Sequence, residues 1–226
     1  MNFLTDRIKP MYLKYLSAAF GSALITSIYG MVDMAMVGQY QGPDGSAALA
    51  VVAPIWNIIY SLGLLMGIGG SVLFSTLRGQ SLKNTKVSNE YYSASLIGTS
   101  LLSLLCWIGL IFGNKELLIA FGAQNALLTL AQRYLFPIQF VVPTFLFNQM
   151  FAAFLRNDGN PTLATKAVLF GGILNIFGDY FFVFTLNMGI FGAGLATALG
   201  SVCSLVVMLS HFFTSKNTLQ FVWPSH

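Results

Sequence analysis

The sequence predicts an all-α integral membrane protein of six transmembrane helices. Three observations carry that reading: scarce charge, six long uncharged runs, and a one-sided placement of Lys and Arg between those runs. Charged residues make up 8% of the 226 and hydrophobic residues 56%, with a mean hydropathy of +0.73. A soluble domain carries roughly 25% charged residues, so this chain lacks the charge to cover a wet surface and its natural solvent is lipid. The net charge of +4 does not indicate a nucleic-acid partner, because the basic residues occupy short gaps between apolar runs instead of one patch.

The uncharged runs cover 15–39, 47–77, 91–113, 126–155, 162–186 and 191–213. Each exceeds the ~20 residues that cross a bilayer. The second and fourth are long enough to tilt or bend, and Pro54, Pro137 and Pro143 are the expected places. The alternation of a β-barrel strand, with a repeat of ~10 residues, is absent.

Alternate loops place Arg7, Lys9, Lys14, Arg78, Lys83, Lys86, Arg156, Lys166 and Lys216 on one side, and Lys115 and Arg133 on the other. Nine against two predicts that both termini are cytoplasmic. Residues 1–10 are polar and no small-residue cleavage site follows the first apolar run, so no signal peptide is expected. The chain reads as one bundle over 1–226, with a polar tail from Ser215. Cys106 and Cys203 lie inside apolar runs and read as small core hydrophobes, not as a disulfide or metal pair. The Gly63-Leu-Leu-Met-Gly67 pattern reads as close helix packing.

Two acidic residues lie deep inside apolar runs: Asp33 in the first and Asp179 in the fifth. An ionised carboxylate there costs ~2.5–3.5 kcal/mol on insertion scales, so a functional role is the default hypothesis. At ~1.5 Å per residue, Asp33 lies ~28 Å along its helix from the cytoplasmic end and Asp179 ~26 Å. Thr197 is ~9 Å down the sixth span from the outside, at the same level. Asn175 is one turn from Asp179 on the same helix face. Two carboxylates, a carboxamide oxygen and a hydroxyl in the outer half of the bilayer suit a hard cation. Na⁺ takes such oxygens directly, whereas a proton neutralises one carboxylate. The alternative is that the two acids serve as hydrogen-bonding glue between helices, or that Asp33 reaches the outer interface near Gln39.

Tyr29, Asn57, Tyr60 and Gln139 are candidates either to line a cavity or to pack as polar groups, and His211 is expected at the inner interface. His226 receives no role. The 20 phenylalanines read mainly as lipid-facing or core. His-Glu-x-x-His, Gly-x-x-x-x-Gly-Lys-Ser/Thr and Gly-x-Ser-x-Gly are all absent, which argues against enzyme chemistry. An intramembrane protease needs a nucleophile and a base at one depth, and no serine stands out as a partner for His211.

Four stretches resemble the MATE (multidrug and toxic compound extrusion) family, and within it the DinF-like branch. They are Tyr29-Gly-Met-Val-Asp-Met-Ala-Met-Val-Gly38; Ala47-Ala-Leu-Ala-Val-Val-Ala-Pro-Ile55 with the Gly-rich 63–70 and Ser71; Phe154-Leu-Arg-Asn-Asp-Gly-Asn-Pro161; and Asn175-Ile-Phe-Gly-Asp-Tyr180 followed by Gly192-Ala-Gly-Leu-Ala-Thr197. The resemblance implies two six-helix bundles facing each other across a cavity in the cell membrane. It implies export of cationic or amphipathic compounds by alternating access in exchange for H⁺ or Na⁺, with no cofactor beyond that ion. It assigns the cation site, with Na⁺ as one occupant, to Asp33, Asn175, Asp179 and Thr197.

Two departures stand out. The first span has no proline after Pro10, where some members bend. The 226 residues cover only the amino-terminal bundle, so the opposing bundle is expected from a missing carboxy-terminal lobe or a second half-sized copy. Membrane lipid and the exported compounds are the other expected partners. Two alternatives remain: a lipid-linked sugar flippase of the same superfamily, which tends to line its cavity with basic residues where the buried charges here are acidic, and a truncated, non-transporting membrane module.

Overall fold

The computed structural model describes residues 8–80 and 85–223; Arg7, Lys83 and His226 lie outside them. The chain forms α1 (Ile8–Gln41), α2 (Pro43–Gln80), α3 (Thr85–Ala120), α4 (Asn125–Gln139), α5 (Val142–Asn157), α6 (Pro161–Asp179) and α7 (Ile190–Leu209). A π-helical turn, Tyr180–Thr185, continues α6, and a 3₁₀ turn, Ser210–Phe213, ends α7. Five of these helices are long and apolar enough to cross a membrane, and the bent pair α4–α5 supplies a sixth span. The fold is the expected all-helical bundle.

The fourth span breaks at Phe140 and Val141, where the two halves turn by 61°. Pro137 and Pro143 flank the break: Pro137 removes a backbone donor inside α4, and Pro143 opens α5 in its first turn, where no intrahelical acceptor awaits an N–H. Pro54, the expected bend position of the second span, lies inside α2, which continues through it as one helix.

Two tight connections rely on left-handed glycines. Gly42, with φ of 74°, is the one residue between α1 and α2. Gly159, with φ of 76°, closes α5, and the Asn160 N–H reaches the Leu155 carbonyl at 2.8 Å. That is a Schellman cap, and Pro161 then starts α6 at a position needing no donor.

Small residues set the helix spacing. A Cβ on Gly171 would lie 2.6 Å from the Gly200 carbonyl oxygen, and one on Gly200 would lie 2.7 Å from that of Gly171. Further out, a Cβ on Gly178 would lie 2.9 Å from the Ala196 Cβ. Helices α6 and α7 therefore meet backbone to backbone. Helices α2 and α5 do the same through Gly63 and Gly67, where an added Cβ would sit about 3 Å from the backbone of Leu146 and Met150. The Gly63–Gly67 pattern is thus a packing device, as read from the sequence.

The core divides into an outer cluster, with Val37, Val52, Tyr134, Ile138 and Ala193, and an inner one, with Phe74, Tyr92, Met150, Phe154 and Met208. Exposed apolar side chains such as Leu105, Phe112, Ile173 and Phe177 cover the outside, as a lipid-facing surface requires. His211 is fully buried within the bundle, where its ring bridges Asp158 Oδ2 at 2.7 Å and Asn160 at 3.1 Å. Cys106 and Cys203 are free and half-buried.

Two outcomes test this architecture. Gly200→Leu forces α7 away from α6 and lowers stability by at least ~1–3 kcal/mol, read as a fall in the thermal midpoint in detergent. In a chain carrying Cys106→Ala and Cys203→Ala, a membrane-impermeant thiol reagent added outside intact cells labels Gln124→Cys and spares Lys216→Cys. The opposite pattern reverses the topology.

Candidate functional site

The α6–α7 glycine contact puts Asn175 and Asp179 against Thr197. The Asn175 Nδ2 donates to Thr197 Oγ1 at 3.1 Å. Helix α4 approaches α7 where Gly194 lies against the Tyr134 carbonyl, and this brings the Tyr134 hydroxyl into the same space. That hydroxyl donates to Asp33 Oδ2 at 2.8 Å and lies 3.4 Å from Thr197 Oγ1. Asp33, Asn175 and Asp179 are 5%, 3% and 0% exposed, and the two carboxylates lie within electrostatic reach of one another. The four residues singled out by depth therefore converge between α1, α6 and α7, and Asp33 is buried there instead of reaching the outer interface.

Hydroxyl stoichiometry orders the network. Tyr134 has one proton and gives it to Asp33. Thr197 then donates to the Tyr134 oxygen while accepting from Asn175. The donors run Asn175, Thr197, Tyr134 and end on Asp33. Asp179 receives none: both its carboxyl oxygens, together with Asp33 Oδ1 and Asn175 Oδ1, are buried without a hydrogen-bond partner among the described residues. It sits at the last regular residue of α6, where the backbone widens into the π turn, an irregularity frequent at functional sites. Four buried, unpartnered oxygens of two carboxylates and a carboxamide are the ligand chemistry a hard cation takes, and the donor-free carboxylate equally suits a proton.

Tyr134 is the site residue that sequence reasoning missed. It was legible by the same depth measure, since it lies ~12 Å below the outer start of the fourth span, close to the level of Thr197. Of the cavity candidates, Tyr29 is half-buried and within electrostatic reach of both Asp33 and Tyr60. Tyr60 and Asn57 are exposed and Gln139 is half-buried; none of these three hydrogen-bonds to a site residue among the described residues.

The polar face of α7 continues inward from Thr197 to Ser201, one turn on. Thr144 gives its proton to the Val141 carbonyl at 2.7 Å, so Ser201 donates to Thr144 at 2.6 Å. Asn148 donates to the Ser201 carbonyl at 2.9 Å and to its hydroxyl at 3.1 Å. Helix α7 thus holds both halves of the broken span: α4 through Thr197, α5 through Ser201.

The chain is thus a six-span helical bundle with two buried carboxylates between α1, α6 and α7. Residues 18–181 match the sequence model of the MatE family, and the chain belongs to that family, whose members are transporters and not enzymes. It is similar to the multidrug export protein MepA of Staphylococcus saprophyticus, at 24% identity over 208 residues. That match covers 90% of this chain and 46% of MepA. It also resembles a solved MATE structure in the straight conformation, with a TM-score of 0.83, 23% identity, and coverage of 93% of this chain and 46% of that one. A MATE structure in the bent conformation gives a TM-score of 0.80 at 24% identity, covering 91% of this chain and 45% of that one. The chain spans about half the length of the curated relatives it matches.

The bare carboxylate leads to a stability prediction. At high pH without Na⁺, Asp179→Asn removes a buried charge that has no donor, and it raises the thermal midpoint of the detergent-solubilised protein by up to ~3 kcal/mol of stability. Asp33→Asn gains less, because Tyr134 already compensates Asp33. An unchanged or lower midpoint for Asp179→Asn contradicts the assignment of Asp179 as the uncompensated acid.

Proposed function

We propose that this chain is the amino-terminal lobe of a cation-coupled exporter of cationic or amphipathic compounds, with Asp33, Asn175, Asp179, Thr197 and Tyr134 as its coupling site. The observation that carries this reading is the pair of buried carboxylates sharing one pocket, one compensated by a directed donor chain and the other bare. Two carboxylates in a poorly solvated pocket cannot both remain ionised cheaply. A proton on Asp179, or a Na⁺ held between Asp179, Asp33 Oδ1 and Asn175 Oδ1, completes the charge balance.

Cation binding then draws α1, through Asp33, towards α6 and α7. Tyr134 is held by both Asp33 and Thr197, so the rearrangement also reaches α4 and the bend in the fourth span. The coupling ion and an organic cation exclude each other, by competing for the same negative charge or through this repacking. Alternating access against an opposing bundle converts the exclusion into exchange. Export by MepA, which the chain matches over nearly its whole length, supports drugs as the cargo. The cell membrane, with both termini in the cytoplasm, is the corresponding location. The lobe alone binds the cation without moving substrate, since alternating access needs the second bundle.

In the complete two-lobed protein, Asp33→Asn and Asp179→Asn each abolish ethidium efflux from cells while leaving membrane expression intact. Efflux at the wild-type rate in both variants, with unchanged pH and Na⁺ dependence, would place coupling elsewhere. In the isolated lobe, Tyr134→Phe removes a hydrogen bond of ~1.5–3 kcal/mol that Tyr134 gives to the ionised Asp33, so the variant takes up its stabilising proton at a pH at least about one unit higher than the wild type, read from the thermal midpoint against pH. An unchanged pH dependence of that midpoint would remove Tyr134 from the site.

A further inference from the structure

The segment after α7 does not hang free. Asn217 N–H closes a turn on the Thr214 carbonyl at 3.2 Å, and the chain then crosses beneath the bundle without regular secondary structure. The Thr218 N–H donates to Asp158 Oδ2 at 3.0 Å, and its hydroxyl donates to Asp158 Oδ1. Arg78 Nη2 donates to the Thr218 carbonyl at 2.9 Å, and the same guanidinium lies 3.7 Å from Asp158. Leu219 plugs the inner core at 3% exposure. Beyond it, the Gln220 N–H donates to Asn89 Oδ1 at 3.3 Å and the Val222 N–H to Ser93 Oγ at 2.8 Å. Every other backbone N–H of this strap is thus taken by a side chain of the lobe, which accounts for the burial of Asn89 and Ser93 on α3.

The strap ends on two aromatics that the lobe does not cover. Phe221 is 54% and Trp223 76% exposed, and their rings pair edge to face at 6.1 Å. Their depth follows from α3. That helix has 36 residues, or ~54 Å, against a hydrocarbon core of ~30 Å, so it overhangs at both ends. Its uncharged stretch begins after Lys86 and Glu90, which places Asn89 and Ser93, and hence residues 220–222, at the hydrocarbon boundary. The α3 flank bearing Asn89 and Ser93 continues through Ser100, Leu104 and Ile108, all exposed and spaced along one helix face. In the other direction it reaches Lys86, also exposed, and Lys216 is exposed on the strap itself.

We propose that residues 214–223 form a membrane-interface strap: clamped to its own lobe through Asp158, Arg78, Asn89 and Ser93, it seats Phe221 and Trp223 at the headgroup–acyl boundary. The partner is the lipid surface. Trp is favoured at that level because its ring is apolar and its N–H polar. Lys86 and Lys216 meet anionic headgroups from the aqueous side. The continuous lipid-facing flank of α3 directly above the strap selects lipid over an apposed protein. The strap ties the inner ends of α2, α3 and α7 and the α5–α6 turn to one depth in the leaflet.

The test uses the whole chain in vesicles of phosphatidylcholine and phosphatidylglycerol whose acyl chains carry bromine either near the headgroup or near the chain end. The emission of Trp223 is obtained as the difference between the wild type and Trp223→Leu, with Trp56 and Trp107 as common background. Shallow bromine is expected to quench that difference signal at least about twofold and deep bromine less, as for an interfacial ring. Quenching by aqueous acrylamide but not by bromolipid would put the strap in water, and protection from both would mean a protein covers it; either result overturns the proposal. A nitroxide at Trp223→Cys, with Cys106→Ala and Cys203→Ala, provides an independent reading. It should be more accessible to oxygen than to a water-soluble nickel chelate, and the reverse order overturns the proposal.

Discussion

Much of this lobe depends on the backbone contact between α6 and α7 at Gly171 and Gly200. In lipid there is no hydrophobic drive to bring apolar helices together, so close packing and interhelical hydrogen bonds must do it. The glycine pair lets the two axes approach until carbonyl oxygens lie where any Cβ would be. That approach sets the distance from Asn175 to Thr197 and holds Asp179 at 0% exposure. A bulkier pair would separate the elements of the proposed cation site before altering any of its polar residues. The packing glycines are therefore as much part of the site as the acids.

The polar network and the broken fourth span are two aspects of one arrangement. A helix that bends by 61° exposes backbone groups that water cannot satisfy inside a bilayer. Here Thr144 caps the Val141 carbonyl, and Ser201 holds Thr144 in place. On the other side of the bend, Tyr134 joins Thr197 to Asp33. A single helix, α7, therefore anchors both halves through hydroxyls one turn apart, and the charge state of the carboxylate pair bears directly on an element already bent.

Asp158, at the α5–α6 turn, has a different role from Asp33 and Asp179. It accepts from His211, from the Thr218 backbone and hydroxyl, and faces Arg78. A carboxylate so fully supplied with donors is a structural knot, whereas Asp179, with none, is poised to take up a positive charge. Burial alone does not distinguish these roles; the donor census does.

How much was legible in the sequence follows from the physics of each feature. The bilayer demands long uncharged helices, so the spans, the fold class and the cost of Asp33 and Asp179 were fixed by composition and helical rise alone. Depth along a helix is also a one-dimensional quantity, and it was enough to gather Asp33, Asn175, Asp179 and Thr197. Tyr134 escaped because an aromatic near a span's end reads as an interfacial anchor, and only its direction towards Asp33 separates the two roles. The break at Phe140 was legible in Pro137 and Pro143, whereas Pro54 leaves α2 one continuous helix, since tertiary packing decides whether a missing hydrogen bond interrupts a helix. The packing of His211 and of the polar tail was not legible for a related reason. Polarity marks a segment as belonging near water, but only the tertiary structure supplies Asp158, Asn89 and Ser93 as partners that allow it to pack against the bundle.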